Sequence, residues 1–422
     1  MNPIGLPGLA ARSLRHRRWP VLLTLITLTL SLTLLLGVQY LRTEVRDTFL
    51  STVSGTDLIV GARSGPLNLL LYSVFHIGQP TSNVRWSTHQ HLAGHDAVDW
   101  VVPISLGDSH QGYRVIATTR AFFERYRHSG NESLELADGR PFESTFEAVV
   151  GARVAADLGY RPGGELVVAH GGGRTSFRHH DNHPFTLAGV LAPTGTPLDR
   201  AVLIPLEGFE AIHIGWETGA PAPGRTPRPD EVAQRDLTPD EITAMLVGVE
   251  RSIMTLKLRR ELNNYQDEPL TAILPGATLS RLWALLGSFE RALLVITALV
   301  LVSGLMGMVA VLLTMLSTRT REMAILRAVG ASPGHIAALY VIESVVLVGA
   351  AAVLATGLWF GGITATAPWL SNLWGVHIEV RPPNTTELGL LAGALALGLL
   401  VSLVPAIAGY RRSLAEGLTP RE

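Results

Sequence analysis

The residues best suited to chemistry in this chain are its histidines. There are 14, and there is no cysteine. Two groups stand out: His89, His91 and His95 beside Asp96, and His179, His180 and His183 beside Asp181. Imidazole next to carboxylate suits zinc or another borderline divalent ion. His91 and His95 are four apart, so they share one face if that stretch is helical. The second group lies in a loop that can fold around an ion. Solvated surface histidine is the competing reading. The missing cysteine also removes the commonest ligand of structural zinc.

Two patterns look catalytic and fail on inspection. Gly330 to Gly334 spells G-x-S-x-G, and His170 to Gly173 spells HGGG. Together they suggest the nucleophile elbow and oxyanion loop of an α/β-hydrolase. But Pro333 removes the N–H after Ser332 that an oxyanion hole needs. Ser332 also falls between two helical patterns rather than after a strand. His170 to Gly173 reads more simply as a hairpin turn. A phosphate-binding loop fails too. Lys257 is the single lysine and follows Leu256, which excludes G-x-x-x-x-G-K-[ST]. No catalytic residue is assigned, and any ATP chemistry belongs to another chain.

The elements that must position these residues are mostly apolar. The chain is 47% hydrophobic and 16% charged, and 34 basic residues nearly cancel 35 acidic ones. Charge therefore points to no partner, and nucleic acid is not expected. Four runs are long enough to cross about 30 Å of hydrocarbon: 19–41, 286–316, 336–360 and 388–409. Arginines cluster at Arg12, Arg15, Arg17 and Arg18, at Arg319, Arg321 and Arg327, and at Arg411 and Arg412. With four spans, all three clusters fall on one side, which the positive-inside rule makes cytoplasmic. Both termini (1–18 and 410–422) and the 317–335 connection are then inside. Residues 42–285 and 361–387 are outside, with every histidine except His16 and His335. The first span is too long for a signal peptide and lacks a clear cleavage site, so it reads as a retained anchor.

Between the first two spans, short β-branched runs alternate with turns and short helices, which predicts a mixed α/β extracytoplasmic domain. The unusually apolar stretch 66–84 is expected to pack on its core. Residues 218–239 are proline-rich and read as an exposed loop. A long helix, capped by Thr278, is expected to run into the second span.

The stretch Thr318–Glu343 is both basic and amphipathic. Gly330 is placed to end one helix, and Ser332 with Pro333 to start the next. REMAILRAVGAS resembles the region after the second span of FtsX/MacB-like ABC transporter permeases. So does the following span with Glu343-Ser344. The tail PAIAGYRRSLAEGL resembles their PA-x-x-A-x-R ending, although Leu414 and Ala415 stand where proline is usual before the acid. DGRPF at 138–142, EAVVGARVAADLG at 147–159 and FTLAGVLAPTGTPLDRAVLIPL at 185–206 are similar to their periplasmic core domain. The four-span layout matches the MacB and LolC/LolE arrangement.

That resemblance implies a non-catalytic subunit in a bacterial inner membrane, served by a separate cytoplasmic ATPase that binds ATP and magnesium. It implies a second permease copy, identical or not, and leaves room for a periplasmic adaptor or substrate-binding protein. The 319–329 helix would be the coupling helix. Met323, Leu326 and Val329 would be apolar knobs, and Arg319, Arg321, Glu322 and Arg327 the polar rim. Arginines that merely touch lipid phosphate are the competing reading. Glu343 either braces the spans or sits near the interface. The expected function is mechanical work on a periplasmic or membrane-held substrate such as a lipoprotein, peptide or drug. A metal-linked ABC system and a membrane sensor without transport are the rivals.

Overall fold

In the computed structural model, residues 8, 17–170, 183–214, 232, 235–318, 320–374 and 380–415 are described. They form two units. One comprises Met1–Glu44, Leu286–Pro368 and Glu379–Glu422; the other comprises Val45–Leu285 and Trp369–Ile378.

The first unit is built on long helices. Among the described residues, four segments are long and apolar enough to cross a membrane: Arg18–Asp47, Gly287–Ser317, Pro333–Ala367 and Thr385–Arg411. Leu28 and Leu32 from the first pack with Leu305 and Met308 from the second and Ala351 and Ala394 from the others. Small residues allow close approach, as expected where dispersion rather than the hydrophobic effect holds helices together. A Cβ on Gly398 would come within 2.8 Å of the Val348 side chain. Leu299, Val353 and Leu400 face outward and are exposed, which suits lipid contact. The second helix begins at Pro275, a residue whose fixed φ favours the first helical position. Thr278 therefore does not cap it. It lies one turn inside, with its hydroxyl donating to the Leu274 carbonyl at 3.0 Å.

The second unit is organised on a mixed sheet. Its strands are β1 (Leu58–Ala62), β2 (Val84–Arg85), β3 (Val98–His110), β4 (Tyr113–Thr118), β5 (Arg127–His128), β6 (Glu132–Ser133), β7 (Leu136–Gly139) and β8 (Glu147–Val150). Then come β9 (Glu165–Leu166), β10 (Ala169–His170), β11 (Phe185–Leu191), β12 (Ala201–Pro205), β13 (Glu241–Ile242), β14 (Ala244–Val249) and β15 (Leu270–Ile273). The main order is β15-β1-β14-β3-β4-β12-β8-β11-β7, with β10 on β3 and β9 on β11. β4–β12 and β8–β11 run parallel, and the other pairs along that order are antiparallel.

Both faces of this sheet are covered. Val115 and Ala117 enter one core cluster and Ile116 the other; Val202 and Ile204 enter one and Leu203 the other. Strands buried on both faces read as continuous apolar runs rather than alternating ones, as AVLI at 201–204 does. The apolar stretch after Gly65 forms the helix Pro66–Val74, which buries Leu69, Leu70 and Tyr72. The expected loop 218–239 lies largely outside the described residues.

Candidate functional site

The connection between the second and third spans forms the helix Thr320–Ala328. Its end is a Schellman motif. The Ala331 N–H reaches the Leu326 carbonyl and the Gly330 N–H the Arg327 carbonyl, both at 2.9 Å. Gly330 takes φ +100°, a left-handed value that glycine adopts without a Cβ clash. The next helix starts at Pro333, and the Ser332 hydroxyl accepts from the His335 N–H at 3.4 Å. The G-x-S-x-G lettering is thus helix punctuation.

The side chains of this segment divide differently from the expected knobs and rim. Met323 is buried, packed with Leu316, Ile336, Tyr340 and Ala406. It is an inward anchor, because the short helix turns that side onto the bundle. Leu326 is half-buried. The outward apolar residues are Val329, 72% exposed, and Ile325, 58% exposed. Glu322 faces Arg17 at 3.6 Å, a surface pair worth less than about 1 kcal/mol. Arg327 is half-buried on the same helix. Arg319 lies outside the described residues, and of Arg321 only the helical backbone is described. Glu343 is fully buried in the third span beside Ser344.

The histidines regroup. The helix Trp86–Ala93 ends at Gly94, so His95 is not on it. His89 stacks on Trp86 with ring centroids 4.1 Å apart, and burial lowers its pKa. His91 lies against Tyr265, and His95 faces Glu261 at 3.3 Å. His183 is buried and stacks on Phe146. His179 and His180 lie outside the described residues.

Among the described residues, the group whose ligand atoms lie within 4.8 Å of one another is Asp108, His170 and His213. Spacing gave no hint of it. β10 pairs with β3 so that His170 stands opposite Asp108. The β3–β4 register slips between Leu106 and Ser109, a bulge of the kind that re-aims side chains near sites. His213 ends the helix Leu206–His213. Its Phe209 ring packs over Gly107, 3.4 Å from where a Cβ there would stand, an ordinary van der Waals distance. His170 Nδ1 is 3.2 Å from Asp108 Oδ1, and His213 Nε2 is 3.5 Å from Oδ2. The only signal available beforehand was His170 itself, in the pattern dismissed as a turn.

Four apolar helices with a sheet domain inserted between the first two define a multi-span membrane protein with a large extramembrane domain. Residues 21–246 match the MacB-like periplasmic core domain, and residues 294–416 match the FtsX-like permease C-terminal family. Among solved structures, the periplasmic region of MacB from Actinobacillus actinomycetemcomitans is similar at 11% identity. The match covers 55% of this chain and 94% of that one, with a TM-score of 0.35. No curated protein matches. The chain belongs to the FtsX/MacB-like family of ABC transporter permeases and is a membrane subunit of that type.

Proposed function

We propose that this chain couples ATP hydrolysis in a separate cytoplasmic ATPase to movement of its extracytoplasmic domain. The observation that carries this reading is the capped helix Thr320–Ala328, where Ile325 and, just past the helix end, Val329 are exposed between two spans. An apolar pair of this kind, flanked by Arg321 and Arg327, suits a groove with an acidic rim on a partner. In this reading the arginine clusters place the helix and both termini in the cytoplasm of a bacterial inner membrane, with the sheet domain in the periplasm. A second permease copy supplies the other coupling helix. The Pro275–Thr318 helix, unbroken from just after β15, carries the motion. The substrate class is a periplasmic or membrane-held molecule such as a lipoprotein, peptide or drug. The test is co-purification of the tagged full-length chain from its native membranes, with bound ATPase identified by mass spectrometry. Ile325→Asp with Val329→Asp, or charge reversal at Arg321 and Arg327, should remove the ATPase. Unchanged recovery with both variants refutes the docking role.

A further inference from the structure

We propose that Asp108, His170 and His213 form a binding site for one zinc-class divalent cation in the sheet domain. Asp108 lies against both histidines. Its side chain is completely buried, and among the described residues neither carboxylate oxygen receives a hydrogen bond. A buried carboxylate without donors is costly, and a cation held against it removes most of that cost.

His213 Nδ1 lies 2.7 Å from the Phe209 carbonyl oxygen. A carbonyl only accepts, so Nδ1 carries the hydrogen. In the neutral ring the lone pair is then on Nε2, which lies 3.5 Å from Asp108 Oδ2. A neutral imidazole lone pair facing a carboxylate repels it unless a cation sits between them. A metal-bound histidine whose other ring nitrogen donates to a backbone carbonyl is the usual supporting arrangement. The His170 and His213 rings meet edge-on, with centroids 5.4 Å apart, so both can turn a nitrogen toward one point.

Ligands at about 2.0–2.2 Å in a tetrahedron lie about 3.3–3.6 Å from one another. The His170 nitrogen lies 3.2 Å from Asp108 Oδ1 and the His213 nitrogen 3.5 Å from Oδ2, and one ligand atom from each of the three residues lies within 4.8 Å of the others. Two nitrogens and one carboxylate select zinc and its neighbours over magnesium or calcium. Three protein ligands leave a fourth position. The His170 side chain is 43% exposed, so an ion can enter and leave from solvent. His110, two residues along β3, is engaged elsewhere, with its ring nitrogens at the Val167 carbonyl and the Tyr160 hydroxyl.

The competing arrangement is two protonated histidines paired with Asp108. Zinc titration separates the two. Full-length protein in detergent micelles, stripped with a chelator, is titrated with zinc chloride by calorimetry, and bound metal is counted by mass spectrometry. The expected result is one zinc per chain that millimolar magnesium does not displace. His170→Ala and His213→Ala should each weaken binding about tenfold or more, whereas His89→Ala with His91→Ala should leave it unchanged. No zinc uptake by the wild-type chain overturns the proposal. So does uptake that survives the His170→Ala/His213→Ala double variant. Asp108→Asn should also lose binding. Where that variant fails to fold, His170→Ala, at a partly exposed position, carries the test.

Discussion

Arg381 and Glu387 make the sharpest test of how the last span is held. The Glu387 side chain is completely buried, and Arg381 grips it twice, Nη1 to Oε2 at 3.1 Å and Nη2 to Oε1 at 3.0 Å. Glu387 also accepts from the Asn384 N–H at 2.7 Å, while its own N–H donates to Asn384 Oδ1 at 2.9 Å. That is a capping box with asparagine as the cap. Arg381 further approaches Glu44 at 3.9 Å and lies 5.0 Å over the Tyr40 ring, tying the start of the last helix to the first. Arg381→Met keeps the stem and removes the charge, stranding a buried carboxylate. Breaking such a pair from one side costs about 3–5 kcal/mol. Replacing both partners is far milder, because no buried charge is left behind. The Arg381→Met/Glu387→Met chain should lie within about 1–2 kcal/mol of wild type, the residual being lost capping. Denaturant unfolding of the full-length protein in micelles, followed by circular dichroism, gives the ordering. A single variant costing less than about 1 kcal/mol refutes the argument. A double variant no more stable than the single does so as well.

Two further outcomes follow from particular side chains. Met323→Ala should cost about 2–5 kcal/mol, the usual range for truncating a buried methionine, and should lower unfolding stability in the same micelle assay. Glu210 gives a pH dependence. Burial, and then the Asp240 carboxylate, push its pKa from 4.5 up to about 7. Between those values the folded chain holds more protons than the unfolded one, so this group's contribution to stability falls as pH rises through the window. Because Glu210 is only half-buried, solvent screening holds the effect to about 1 kcal/mol. Melting curves from pH 5 to pH 8 should show the loss in wild type and a flatter profile in Glu210→Gln; identical profiles would remove Glu210 as the cause.

The sequence by itself determined the membrane-spanning helices, because about 20 uncharged apolar residues have few other fates. It also determined the punctuation at Gly330, Ser332 and Pro333, since helix ends are set by local backbone chemistry within a few residues. The mixed sheet domain was legible as a class from its short β-branched runs. Tertiary structure alone decided what depends on distant neighbours. Met323 and Val329 look alike in sequence, yet packing against Tyr340 and Ala406 turns one inward and leaves the other exposed. Glu322 faces Arg17, some 300 residues away. The histidines show the same limit. Those close in sequence point to separate partners, because a helix ends at Gly94 and aromatic rings hold His89 and His91. Those that meet Asp108 are 43 residues apart. A strand register, a bulge and the end of a helix bring them together, and none of these is encoded in local spacing.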